Sequence, residues 1–144
     1  MDRRSFLWGG AALGAALWTR GVRAASRIAI VVHPSNGVSS LSPGELEAIF
    51  TTRKLYWPNG RAIAAYNLPT RHPVRVEIDR SVLHLEPDQV ARFWIDRRVR
   101  GGHLPPRQAP TVDVMKRVVA SLETSIGYLP ASDVGRDVKV IAEV

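Results

Sequence analysis

The sequence predicts an α/β fold, a layered sheet flanked by helices, and three observations carry that expectation. Residues 27–33, Arg-Ile-Ala-Ile-Val-Val-His, form a near-continuous β-branched run of the kind found in a strand buried on both faces. Strand-like segments then alternate with capped, amphipathic helical segments along the chain. Finally, once a leader of 24 residues is set aside, the remaining 120 of the 144 residues suit one domain with one core.

Taken in order, the first strand ends at Pro34-Ser35-Asn36-Gly37, a turn-forming run. Ser42-Pro43-Gly44-Glu45 then has the form of a capping box with proline at the first helical position, and Leu46, Ile49 and Phe50 recur at helical spacing, so a helix is expected over 43–50. Trp57-Pro58-Asn59-Gly60 carries the residues of a tight turn, after which Ala62 to Asn67 reads as a second strand. Pro73 opens a helix to about Leu83 with Val76 and Val82 or Leu83 inward, and Pro87 opens another with Val90, Phe93 and Trp94 on its apolar face. From Arg97 to Gln108 the chain is basic and rich in Gly and Pro, and reads as a loop. Thr111 caps a helix whose inner face is Val112, Met115, Val118, Val119 and Leu122. Ser125–Leu129 and Val138–Val144 complete the pattern as short strands joined by the turn at 132–135.

The first 24 residues have a different character. Arg3-Arg4 with Phe6-Leu7 precede an uncharged apolar run to Trp18, and Val22 and Ala24 present small residues where a signal peptidase reads. This is the layout of a twin-arginine export signal, so cleavage is expected after Ala24, leaving a domain over 25–144 in the periplasm. Asp2 and Trp8 depart from the usual twin-arginine pattern, which leaves the general export route open. The apolar stretch of 13 residues is shorter than the roughly 20 a spanning helix needs, so no stable membrane insertion is expected after cleavage.

Composition narrows the chemistry. The leader holds four arginines against one aspartate, which leaves the remainder with +4 of the chain's formal +7. Seventeen of the 20 basic residues are arginine and are dispersed, and the stretch from Val99 to Pro110 has no aromatic residue on which a base could stack, so no nucleic acid is expected. The cluster Arg97, Arg98, Arg100, His103 and Arg107 reads mainly as solvated charge, with phosphate or an acidic partner left open. Cysteine is absent, which excludes disulfides and thiolate metal sites. The four histidines lack metal-ligand spacing, no Gly-x-Ser-x-Gly elbow is present, and the carboxylate pairs Glu77/Asp79 and Glu86/Asp88 read as solvated faces. Neither an enzyme nor a cofactor is therefore expected.

Two loops are the candidate ligand-binding elements, because each follows a strand and precedes a helix, whose N-terminal N–H groups attract anions. Ser39 and Ser40 lie in the first; Thr70, Arg71 and His72 lie in the second. Together they offer hydroxyl, guanidinium and imidazole groups suited to a small oxyanion. The alternative role of the hydroxyls, capping helices and turns, stays open.

The order Leu41-Ser42-x-x-Glu-Leu-x-x-Ile-Phe, Tyr56-Trp57-Pro58-Asn59-Gly60, Phe93-Trp94, Gly101-Gly102 and Ser125-Ile126-Gly127-Tyr128 resembles phosphate ABC importer binding proteins over nearly all of residues 28–142. The resemblance implies a periplasmic-binding-protein-like lobe, about half of such a protein. The family usually carries Gly after the Ile-Phe element, where Thr52 stands here, and its phosphate loop has an Arg before a Ser-Gly-Thr-like turn, which Asn67–Pro73 lacks. The implied function is an exported solute-binding-type module that takes phosphate or another small oxyanion, or that presents its surface to a membrane transporter or sensor. The alternative is a ligand-free periplasmic interaction or accessory protein of an envelope transport or signalling complex.

Overall fold

A computed structural model describes residues 27–144; the export-signal reading, with Arg3, Arg4, Phe6, Leu7 and Ala24, lies outside the described residues. Strand β1 (Ile28–Val32) is buried along its whole length, and the reason is its position: it lies inside a five-stranded sheet with neighbours on both edges. The sheet order is β3-β2-β4-β1-β5, with β2 (Ala64–Asn67), β3 (Arg107–Gln108), β4 (Ser125–Pro130) and β5 (Lys139–Glu143). β1 is antiparallel to both β4 and β5, whereas β2 is parallel to β3 and β4, so the sheet is mixed. The register of β1 against β5 shifts between Ile30 and Val31, a bulge on the outer strand.

Helices cover both faces of this sheet. Successive residues of a strand point to opposite sides: Tyr128 meets Phe50 of helix α1 (Pro43–Phe50) edge to face at 5.9 Å, while a side chain at Gly127 would stand 2.5 Å from Met115 Sδ and 3.2 Å from Val119 Cγ2 of helix α4 (Val112–Ser121). Gly127 thus lets α4 lie close against β4. Helix α2 (Pro73–Ile78) continues as a π-helical turn over Asp79–Leu83, which packs on α1, and helix α3 follows over Pro87–Val99. Residues 27–144 contain the five-stranded sheet and its hydrophobic core, so residues 25–144 include both in full.

Several expectations change in detail. The second strand narrows to Ala64–Asn67, with Ala62 held only in an isolated bridge to Tyr56. On α2, Val76 is half-buried and the inward face is Arg75, Ile78, Asp79 and Val82, because the π turn widens the helix and a charged pair occupies its inner side. Asp79 is therefore no part of a solvated face. Only Val90 of α3 is fully buried, with Phe93 and Trp94 half-buried. Residues 97–108 are not all loop: α3 runs to Val99, and Arg107–Gln108 pairs in parallel with β2. Helix α4 stops at Ser121, leaving Leu122 outside the helix and 36% exposed.

The ends of α1 and α3 share one device with unequal residues. In α3, Gly101 is left-handed at φ 73, its N–H bonds the Arg98 carbonyl, and the Gly102 N–H bonds the Arg97 carbonyl. That is the double closure of a Schellman motif, in which glycine avoids the Cβ clash. The end of α1 makes the same two bonds, Thr52 N–H to Ile49 and Arg53 N–H to Ala48, but with Thr52 at φ 58. Its Oγ1 is also buried without a hydrogen-bond partner. A β-branched residue in this conformation is strained by roughly 1–2 kcal/mol, so Thr52→Gly is expected to stabilise the domain by about 1 kcal/mol, raising the midpoint of thermal unfolding by about 4 °C. An unchanged or lower midpoint contradicts the strain.

Candidate functional site

The loop between β2 and α2 is built from beneath. The buried Tyr128 hydroxyl accepts the Leu68 N–H at 2.9 Å and donates to Asn67 Oδ1 at 3.1 Å, and the Asn67 carbonyl accepts from Ala109 N–H at 2.8 Å. Burial pushes the Tyr128 phenol well above the ordinary tyrosine range, so it remains a donor throughout neutral pH. The Leu68 carbonyl in turn accepts from Arg75 Nη1 at 2.9 Å, and Arg75 Nε reaches both Asp79 carboxylate oxygens, at 3.0 and 2.9 Å. Arg75 and Asp79 are 4% and 1% exposed. Burial pushes the Asp79 carboxyl up, and the Arg75 guanidinium pulls it back. Sequence reasoning passed over this pair although its i, i+4 spacing on a helix was a usable signal.

The apex of the loop is less engaged. The His72 N–H closes a turn onto the Pro69 carbonyl at 2.9 Å, and His72 Nδ1 caps α2 by accepting the Val74 N–H at 3.2 Å. Pro73 has no N–H to offer, so two of the donors that would greet an anion at this helix start are missing or taken. Thr70 and Arg71 are exposed, and among the described residues Arg71 belongs to no ion pair.

Ser39 and Ser40 lie on a separate, exposed segment before α1. Because β1 and β2 run in opposite directions, their two following loops leave the sheet at opposite ends. No hydrogen bond among the described residues joins Ser39 or Ser40 to Thr70, Arg71 or His72. The start of α1 is also self-capped: Ser42 Oγ accepts the Glu45 N–H at 3.2 Å while a Glu45 carboxylate oxygen accepts the Ser42 N–H at 2.8 Å. That Ser42 N–H holds the Glu45 carboxyl below its ordinary value, which keeps a negative charge where an oxyanion would dock.

Two further features complete the surroundings. A cavity of about 540 Å³ beside α2 is lined by Arg27, Ile28, Val74, Pro130 and Ala131 among others, and by none of the five candidate residues. Arg97, expected among solvated charges, is instead half-buried: its guanidinium sits 5.7 Å from the Phe93 ring centre and 5.9 Å from that of Trp94, and it donates to the Thr51 carbonyl at the end of α1. Among the described residues no three His, Asp or Glu side chains converge as a metal site would require.

The Arg75–Asp79 pair has a measurable signature. Breaking a buried pair leaves one uncompensated charge and costs roughly 3–5 kcal/mol, whereas replacing both partners by apolar groups is nearly neutral. Urea unfolding of Arg75→Met, Asp79→Leu and the double variant is expected to show large losses in each single variant and a far smaller one in the double. Additive losses contradict a mutually satisfied pair.

No known protein-family profile matches the sequence, and no curated protein matches it either. Solved structures do. The chain is similar to an ABC-type phosphate transport receptor from Vibrio cholerae, with TM-score 0.63 and 19% identity over 79% of this chain and 44% of the receptor. It is similar also to a substrate-binding protein of phosphate ABC transporter type from Clostridium perfringens with bound phosphate, with TM-score 0.64, 16% identity, and 81% and 45% of the two chains covered. For PstS from Borrelia burgdorferi the TM-score is 0.63 at 12% identity, over 81% and 47%. The chain spans less than half the length of these proteins, and at such identities the likeness is one of fold: a mixed five-stranded sheet with flanking helices, as in a lobe of a periplasmic binding protein.

Proposed function

We propose that the protein is an exported, single-lobe module of the phosphate-receptor fold that works by presenting its surface to a membrane transporter or sensor of the envelope, without enclosing a solute by itself. The reading rests chiefly on one observation: the cation beneath the loop, Arg75, is already committed to Asp79 and to the Leu68 carbonyl. A guanidinium neutralised from inside has little left to offer an incoming anion, and a lobe open to water weakens whatever charge-assisted hydrogen bonds form at its rim. The leader carries the export half of the reading, through Arg3, Arg4, Phe6, Leu7 and Ala24. No reaction is assigned.

A second reading, in which Thr70, Arg71 and His72 take phosphate or another small oxyanion, with Ser39 and Ser40 as outlying contributors, is favoured by the exposed Arg71, which has no ion-pair partner among the described residues, and by the fold shared with phosphate receptors. Isothermal titration of residues 25–144 with phosphate and with sulfate separates the two. The presenting reading expects no heat at millimolar anion. Saturable heat that Arg71→Ala abolishes and Arg98→Ala leaves intact overturns it and establishes the oxyanion site.

Export is tested independently. Replacing Arg3 and Arg4 by Lys in the full chain is expected to leave unprocessed protein in the cytoplasm, while the unaltered chain is recovered from the periplasm beginning at Ala25. Periplasmic recovery of the Lys variant assigns the general route, and an unaltered chain that retains Met1 in the cytoplasm refutes export.

A further inference from the structure

Helix α3 has an apolar stripe on the side turned away from the protein. Val90 is buried, and Val99, nine residues on, stands about half a turn away around the helix at 3.6 residues per turn. Ala91, Ile95 and Val99 follow one another at i, i+4 and i+8, and Ile95 and Val99 are 65% and 81% exposed. Arg92 and Arg98 flank the stripe, one on each side.

The net charge of the described residues is concentrated in the same segment. Residues 91–107 hold five arginines against one aspartate, a net +4, while the other described residues balance at eleven basic and eleven acidic groups. Arg92 and Arg100 are paired with Asp88 and Asp96 at 3.9 and 3.1 Å, and Arg97 faces inward, whereas Arg98 and Arg107 belong to no ion pair among the described residues. Aliphatic side chains standing out of a convex helix between arginines form a surface with one natural complement, a layer that is negatively charged at its face and apolar just beneath. A second copy fits poorly, because a two-fold contact would set +4 against +4.

We propose that the outer face of α3 is a docking surface for anionic phospholipid, with Ile95 and Val99 entering the boundary between headgroups and acyl chains and Arg92 and Arg98 meeting the phosphates. The aliphatic methyls give up water, while the arginine stems lie along the apolar layer and keep their guanidinium heads among the headgroups. The contact is peripheral, since no helix among the described residues is long and apolar enough to cross a membrane. This goes beyond the surface-presenting reading, whose partner is a transporter or sensor, and its failure leaves that reading's anion titration and export test untouched.

The test is sedimentation of residues 25–144 with vesicles of phosphatidylcholine alone and of phosphatidylcholine with about a third phosphatidylglycerol, in low and high salt; the chain beginning at Ala25 keeps the apolar leader from binding in its place. Binding is expected only to the anionic vesicles and is expected to weaken in high salt. Arg98→Ala should lower the partition coefficient about fivefold, and Ile95→Ser with Val99→Ser about tenfold or more. Arg136→Ala, at an exposed residue outside the segment, should change nothing, and circular dichroism of these surface variants should match the parent. Absence of binding, binding indifferent to the α3 variants, or binding that responds to Arg98 and salt but not to the serine variants each overturns the proposal. So does capture by an acidic envelope protein with the vesicles left unbound.

Discussion

The Tyr128 hydroxyl holds together the end of the sheet on which the rest of the molecule is arranged. It is a polar atom in the middle of a hydrophobic core, and it is tolerated there because the Leu68 amide and the Asn67 side chain satisfy it. Those two bonds fix where β2 ends and where the chain turns toward α2. The Arg75–Asp79 pair extends the same network by one layer, since Arg75 also holds the Leu68 carbonyl. Each member leaves another buried group unsatisfied if it is removed, which is why the network behaves as one unit.

The network also shapes what the loop can do. A helix start attracts anions through free N–H groups and a nearby cation. Here the capping histidine, the proline and the internal carboxylate take up those resources one after another, and what remains outward is a single guanidinium at Arg71 with a hydroxyl beside it. The fold is thus shared with phosphate receptors while the chemistry beneath this loop is closed upon itself. By contrast, Val90 is the one fully buried side chain of α3 and Arg97 donates to the Thr51 carbonyl at the end of α1, while Ile95, Val99 and Arg98 stand exposed on its outer face.

Much of the fold was legible in the sequence because it is written in local chemistry. The capping box at Ser42 and Glu45 and the Ile-Phe pair that ends α1 mark Pro43–Phe50 without ambiguity, Thr111 marks the start of α4, and the β-branched run marks β1. The direction of β1 relative to β2 was not legible, since it depends on pairing with β4, more than 50 residues from β2 in sequence. That direction decides whether two strand-end loops meet, and here they diverge. At the candidate site, Asp79 resembled any exposed helical carboxylate, and only the π turn carries it inward. Arg97 was hidden in the same way, one guanidinium in a basic run that only the tertiary structure distinguishes from its neighbours. Leu122 failed for a simpler reason, that the helix ended one residue before it.

On this reading of the loop, Asp79 occupies the guanidinium of Arg75 so fully that no outside anion competes for it. Nuclear magnetic resonance of residues 25–144, following the Arg75 Nε–H signal and the backbone amides of 68–75 during titration with phosphate, addresses it directly. The Arg75 Nε–H is expected to be protected from exchange with water and unmoved by millimolar phosphate. A rapidly exchanging signal, or one that shifts and saturates as phosphate is added, would contradict it.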